Sequence, residues 1–292
     1  MASMRDIKRR KVSIQSTQQI TKAMKLVSTV RLQRAKARAE CSKAYFKCMG
    51  RTVASMLARS GNINHPYLMS GQSEKKAVVV ISSNRGLAGG FNSNIIRLLT
   101  KNPQTADWKR ENVGIYAIGN KAKDGLARYG FEIIKSEPDI IDEPIYSDAV
   151  KISTELLESY KKGEIGEIYV AYTEFKNTVT HIPTLIRVLP VEASLDDDED
   201  DGVKGQELPM NYEPAEDESL DIIIPKYVTS MIFGALTQSI ASENGARMQA
   251  MDSATSNAED MIQNLSLAYN RARQGSITQE LTEIIAGAEA IS

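Results

Sequence analysis

QITKAMKLVSTVRLQRAKARAECSKAYFKC, residues 19–48, and MDSATSNAEDMIQNLSLAYNRA, residues 251–272, decide the fold. In the first stretch Ile20, Ala23, Val27, Val30, Arg34, Ala37, Cys41, Ala44 and Cys48 alternate spacings of three and four. In the second, Met251, Ala254, Ala258, Met261, Leu265, Ala268 and Ala272 do the same. A sustained 3-4 alternation is the pattern of supercoiled helices, and small residues on such a seam let two backbones approach closely. Two such helices at opposite ends of one chain, joined through a domain, are expected to pair antiparallel.

Proline supports this reading. All nine prolines lie between Pro66 and Pro225. A proline costs about 3 kcal/mol inside a helix, so both ends are free to be long helices. At 1.5 Å per residue, 4–58 would extend roughly 80 Å and 226–286 roughly 90 Å. The expected organisation is an N-terminal coiled-coil helix over 1–60, an α/β domain over 75–210, and a C-terminal coiled-coil helix over 220–292 that pairs with the first.

The middle alternates strand-like and helix-like segments, which predicts a parallel or mixed α/β sheet. Strands are expected at Lys76–Ser82, Val113–Ile118, Phe131–Ile134, Glu167–Tyr172 and Leu185–Val191, the last two as a hairpin. Helices are expected at Asn92–Thr100, Lys121–Tyr129 and 147–162, the last burying Val150, Leu156 and Leu157. The run Asp196–Asp201 reads as a solvated acidic loop, and its spacing is not that of a calcium loop.

Charge is distributed unevenly. The net charge is −1, yet residues 1–60 hold 15 Lys and Arg against two acids, Asp6 and Glu40. Such a segment expects an acidic or anionic partner. Nucleic acid is a poor fit, because the charges wrap all round the helix and only Tyr45 and Phe46 could stack on bases. An acidic protein surface enclosing a rod suits them equally well. No run of eighteen apolar residues is present. The N-terminus opens with charge and no apolar stretch follows, so a cytoplasmic location is expected.

Chemistry-bearing motifs are sparse. Ser82–Asn92, SSNRGLAGGFN, follows a strand and precedes a helix, but fits neither GxxxxGK[ST] nor GxGxxG. Gly86, Gly89 and Gly90 are expected to serve a tight turn. His65 and His181 stand apart from each other and from the cysteines, so neither a metal site nor histidine catalysis is expected. Cys41 and Cys48 lie about 10 Å apart along a helix, beyond the roughly 7 Å of a disulfide. They are expected to be small residues of the seam.

Several blocks resemble the gamma chains of F-type ATP synthases. Ile277, Thr278, Glu280, Glu283, Gly287, Ala288 and Ala290 fill the fixed positions of that family's C-terminal signature. Asn270–Gln274 (NRARQ), Ser242–Met251, the run Gln19–Met24 and the turn Asn84–Asn92 are also similar to it. Asn84 stands where Asp is usual and Ala88 where Cys is common; the acidic run is outside the usual pattern.

The resemblance implies an antiparallel coiled coil beside a Rossmann-like central domain. It implies the rotor shaft of a proton-translocating enzyme, turning inside a ring of alpha and beta subunits and coupling ion flow to ATP synthesis or hydrolysis. Mg-ATP and Mg-ADP would be held by the ring, leaving this chain no cofactor, metal or catalytic residue of its own. Arg273, Gln274 and Thr278 would contact a beta-subunit loop, Met24 and Lys25 a neighbouring one, and Arg247 would be a paired charge on the shaft. Tyr212 and Glu213 would meet the epsilon subunit and the c-ring at the foot. The complex would be peripheral on the cytoplasmic face of a bacterial plasma membrane. Filament proteins with paired terminal helices, nucleic-acid-binding coiled coils, and an α/β nucleotide enzyme using Gly86–Gly90 are the competing readings.

Overall fold

The computed structural model describes residues 4–59, 65–68, 73–191 and 216–289. In chain order the elements are α1 (Met4–Arg59), β1 (Lys76–Ile81), α2 (Phe91–Lys101), β2 (Val113–Ile118), α3 (Asn120–Arg128), β3 (Glu132–Ser136), α4 (Tyr146–Lys161), β4 (Glu167–Phe175), β5 (His181–Leu189) and α5 (Glu216–Glu289). Two compact units result: Met1–Val30 with Arg247–Ser292, and Arg31–Ala246. Acidic residues 196–201 lie outside the described residues, as do Tyr212 and Glu213.

In the larger unit five strands run in the order β3-β2-β1-β4-β5. The first four are parallel, and β5 closes the sheet antiparallel to β4, as the hairpin expectation required. Helices cover both faces, and that is why β1 reads as an unbroken apolar run, KAVVVI, rather than an alternating one. Val78, Val80, Ile115 and Ala117 pack on one face with Ile95 and Leu99 of α2 and Leu126 of α3. Val79, Ile81, Ile118 and Val170 pack on the other with Ile152, Leu156 and Tyr160 of α4. That second core also takes in Val53 and Met56 of α1 and Leu220, Ile224, Val228 and Ile232 of α5. Each fully buried side chain of this size is worth about 1.5–3 kcal/mol. In α4, Val150 is exposed, while Ala149 and Ser153 take inward positions.

α5 also completes the sheet where β1 stops. The last β1–β4 pair is Val80 with Ala171. Two residues on, the Thr173 amide donates to Ser239 Oγ at 3.2 Å and its carbonyl accepts from Ser242 Oγ at 3.0 Å. Both backbone groups of Thr173 therefore face away from β5, whose opposite residue is Pro183. The missing N–H of Pro183 falls on the outer edge, where a proline is tolerated.

Three expectations are corrected. α5 begins at Glu216, a few residues before the expected 220, and Pro225 lies inside it rather than at its edge as the 226–286 length estimate had it. The proline removes the amide that would have bonded the Asp221 carbonyl, and the buried apolar face of the surrounding turns holds the helix together. The N-terminal seam is also displaced. Ile20, Ala23, Val27, Val30, Arg34, Ala37, Cys41 and Cys48 are exposed. In the smaller unit Thr21 and Ser28 turn inward instead; in the larger, Leu32, Ala35, Val53 and Met56 do so. Cys41 and Cys48 are thus free surface thiols rather than seam residues. Thr21 and Ser28 are both small enough to let the backbones approach, and Thr21 meets the Thr255 hydroxyl across the pair. The C-terminal seam is closer to expectation: Met251 and Ala258 are buried and Ala254, Leu265 and Ala272 half-buried, but Met261 and Ala268 point outward.

α5 also contains an 18-residue window of mean hydropathy 1.3, but 61% of it is buried within the protein. That is the character of a core helix.

Candidate functional site

The helix pair of the smaller unit is antiparallel, as expected. Thr21 Oγ1 and Thr255 Oγ1 lie 2.8 Å apart, and Lys25 Nζ donates to Asp252 Oδ1 at 2.6 Å. Rising numbers in α1 thus face falling numbers in α5. The Thr21 hydroxyl also reaches the Gln18 carbonyl at 3.0 Å, and Thr255 reaches Met251 at 2.7 Å. The hydroxyls of Thr21 and Thr255 are thus hydrogen-bonded within their own helices and lie within bonding distance of each other. The Lys25–Asp252 pair is half-exposed, with side-chain exposures of 40% and 62%, and contributes at most about 1 kcal/mol.

That register has a consequence at the end of the pair. It places Met4 level with Arg273, so residues from Ile277 onward extend past the described part of α1. On this overhang Ile277, Leu281, Ile284 and Ile285 are all exposed, Ile284 at 68%. At 100° per residue these four, together with Gln274, fall within about 100° of arc. An apolar stripe on a lone helix is the mark of a contact surface. Arg273, Gln274 and Thr278 flank it and are exposed. The Thr278 hydroxyl donates back to the Gln274 carbonyl at 2.9 Å, which joins the two residues on one turn. Ser276 with Glu280 at 3.3 Å and Gln279 with Glu283 at 3.0 Å support the same turns.

Met24 and Lys25 are half-buried and sit about 30 Å lower along the pair, by the helical rise. Arg247 is lower still and also half-buried. The structure therefore distributes the expected contact residues over three heights instead of gathering them in one place. Between them α1 presents Ile20, Leu26, Val27 and Val30 outward, with exposures of 50–64%. Sequence reasoning assigned three of these four to the seam. Their apolar character could not say which surface they face.

The glycine-rich turn is built as a structural joint. Leu87 and Gly89 adopt positive φ, 63° and 55°. The Ser83 hydroxyl donates to the Arg85 carbonyl at 2.6 Å, and its amide donates to Asn92 Oδ1 at 3.0 Å. The turn also anchors the next helix. The first three amides of α3 donate into it: Asn120 to Asn84 Oδ1 at 3.1 Å, Lys121 to the Ser83 carbonyl at 3.1 Å, Ala122 to Ser82 Oγ at 2.8 Å. The first three amide donors of α3 are thus satisfied within the chain, and they tie the turn to that helix. Asn84 Nδ2 further donates to the Pro138 carbonyl at 2.7 Å, a role no carboxylate could fill. The residue that makes this packing possible is Gly119, with φ of 95° and the Ser82 carbonyl 2.2 Å from where a Cβ would sit. The sequence reading passed over it; a glycine directly after a strand was the available signal.

His65 lies 3.7 Å from Asp221. His181 is half-buried against Phe175, and desolvation lowers its pKa below the ordinary value. Among the described residues no group of three or more His, Cys, Asp or Glu could hold a metal ion.

A layered α/β unit placed between terminal helices that pair with each other defines a scaffold subunit, one that presents surfaces along a helix pair. The ATP synthase family matches residues 3–291. The ATP synthase gamma chain of Lachnoclostridium phytofermentans is 61% identical over 295 residues, covering all of both chains. The sodium-ion-specific ATP synthase gamma chain of Acetobacterium woodii is 35% identical over 303 residues, 99% of each. Among solved structures, a chain of the mitochondrial ATP synthase of Euglena gracilis superposes with a TM-score of 0.70 at 18% identity, over 99% of this chain and 94% of that one. The protein belongs to the ATP synthase gamma-chain family.

Proposed function

We propose that the chain works as the rotating shaft of an F-type ATP synthase, transmitting torque between a membrane ion-driven rotor and a ring of alpha and beta subunits. One observation carries this reading: among the described residues α5 extends past α1 as an overhang with an apolar stripe, Ile277 to Ile285, flanked by Arg273, Gln274 and Thr278. A lone apolar helix end is costly in water and needs an enclosing partner. The seven Lys and Arg against one acid in residues 4–30 suit an acidic inner wall. A shaft couples to catalysis only if its contacts differ between states of the ring. The placement of contact residues at three heights supports such asymmetric contact.

On this reading Arg273, Gln274 and Thr278 meet a beta-subunit loop near the tip, and Met24, Lys25 and Arg247 meet the ring lower down. Tyr212 and Glu213 belong to the foot, against epsilon and the c-ring. On the same reading the chain carries no active site and no nucleotide of its own. Chemistry and Mg-nucleotide belong to the ring. The assembly is peripheral to a membrane, on the cytoplasmic face of a bacterial cell, and ion transport passes through other subunits.

Co-expression with alpha and beta subunits tests the proposal. The chain should co-purify with both in a complex whose ATPase activity is lost when 274–289 are removed, while the truncated chain keeps its helical signal. ATP hydrolysis by the chain alone, at rates comparable to the complex, would overturn it.

A further inference from the structure

A second surface lies on the larger unit, along the edge of its sheet that no other strand covers among the described residues. β5 has a strand on its inner side only. No backbone–backbone bond among the described residues reaches its outer side. The phase of the ladder decides which groups face outward. Because both backbone groups of Thr173 are bonded to α5, the Thr173–Pro183 pair is of the non-hydrogen-bonded kind. Pro183 and Leu185 therefore turn their carbonyls, and Leu185 its amide, to the outer edge.

Beside this edge runs the last turn of α2. A groove of 330 Å³ lies between them, lined by Asn94, Arg97, Leu98, Lys101, Asn102 and Pro183. It contains two cations and no carboxylate. Arg97 and Lys101 are exposed. Neither belongs to an ion pair among the described residues, unlike Lys76, held by Glu167, or Lys135, held by Glu155. α2 returns from the end of β1 to the start of β2, so it runs parallel to β5. Arg97 and Lys101 are therefore spaced along the edge, about 6 Å apart by the helical rise. Alternate residues of a strand are about 6.6–6.8 Å apart on one face. The two spacings match.

We infer that this edge docks an extended acidic segment of a partner protein as a sixth strand. Carboxylates at alternate positions meet Arg97 and Lys101, while backbone groups pair with Pro183 and Leu185. Strand addition supplies affinity through the main chain, and the alternating side chains supply selectivity. Pro183 offers no donor, so pairing centres on Leu185 and is short. The contact is consequently weak and electrostatically steered.

The test uses the full chain and a labelled eight-residue peptide with Glu at every second position between Val and Thr. Anisotropy should show saturable binding, weakened at least tenfold by Arg97→Glu with Lys101→Glu, and weakened again at high salt. The indole of Trp108, 4.7 Å from the Tyr169 ring on the same face of the sheet, gives an independent fluorescence reading. N-methylation of the peptide's edge-facing amides should also cost at least tenfold. Unaltered circular dichroism confirms that the double variant is folded. No saturation by about 1 mM, equal binding of the Gln counterpart, or indifference to N-methylation would each overturn the inference. So would binding that appears only after residues 196–201 are replaced by Ser, since the occupant would then be the chain's own acidic run. Failure on any of these leaves the shaft assignment untouched, because that rests on the helix pair.

Discussion

Replacing Gly119 by Ala tests whether the glycine-rich joint is structural. At φ of 95° an alanine costs about 1–2 kcal/mol in backbone strain alone. Its Cβ would meet the Ser82 carbonyl oxygen at 2.2 Å and the Ser82 carbonyl carbon at 2.7 Å. Both are backbone atoms of the turn, so no rotamer change relieves the contact. Ser82 must move, and it carries two of the bonds at stake: its amide to the Ile118 carbonyl at 2.8 Å and its hydroxyl from the Ala122 amide. Each contributes about 0.5–1.5 kcal/mol. The total is about 2–5 kcal/mol, a large share of the 5–15 kcal/mol typical of a folded domain. Urea unfolding followed by Trp108 fluorescence measures it. Gly86→Ala is the control, because nothing lies within 4 Å of the added Cβ and its φ is not positive. It should stay within about 0.5 kcal/mol of the parent. A Gly119→Ala loss below about 1 kcal/mol, or a Gly86→Ala loss of equal size, would refute the argument.

Other perturbations follow from the same geometry. Asn84→Asp should destabilise by about 1–3 kcal/mol, since the Pro138 carbonyl loses its donor and a carboxylate takes its place; a neutral result in the same urea assay would contradict the Asn84 hydrogen bonds. Thr21→Val and Thr255→Val should each cost more singly than half of the double variant, and a double-mutant cycle with no coupling would show that the cross-helix hydroxyl contact is without weight. Arg273→Ala with Gln274→Ala should lower coupled turnover of the reconstituted complex while the melting temperature of the chain stays constant, because both residues are exposed; unchanged turnover would refute their contact role. Burial pushes Tyr160, Tyr169 and Tyr172 up to about 12. The folded chain therefore holds protons that the unfolded chain releases near pH 10, so stability should fall between about pH 10 and 12, and tyrosinate absorbance rising instead at pH 10 without unfolding would oppose this.

Much of this protein was determined by local pattern. Proline-free ends with a sustained 3-4 pattern permit long helices, since no breaker interrupts the backbone hydrogen bonding. Val113–Ile118 is a strand with the bounds its apolar run announces, and the hairpin of β4 and β5 follows from two short runs with a polar turn between. Arg273, Gln274 and Thr278 could be singled out as candidate contacts from the family motif they resemble. Tertiary structure alone decided the rest. Ile20 and Val27 have the spacing of a seam, but Thr21 and Ser28 are buried in it, Thr21 against the Thr255 hydroxyl of the partner helix. Pro225 looks like a boundary, yet Leu220 and Ile224 are buried on its N-terminal side, and that burial outweighs one missing amide. The start of α3 shows the same limit. Its donors are satisfied by Ser82, Ser83 and Asn84, some forty residues earlier in the chain, and only a fold that sets β1 beside β2 brings them together. Spacing along a sequence specifies which residues share a face of one helix or strand; which face is covered depends on the partner, and that is a property of the folded chain.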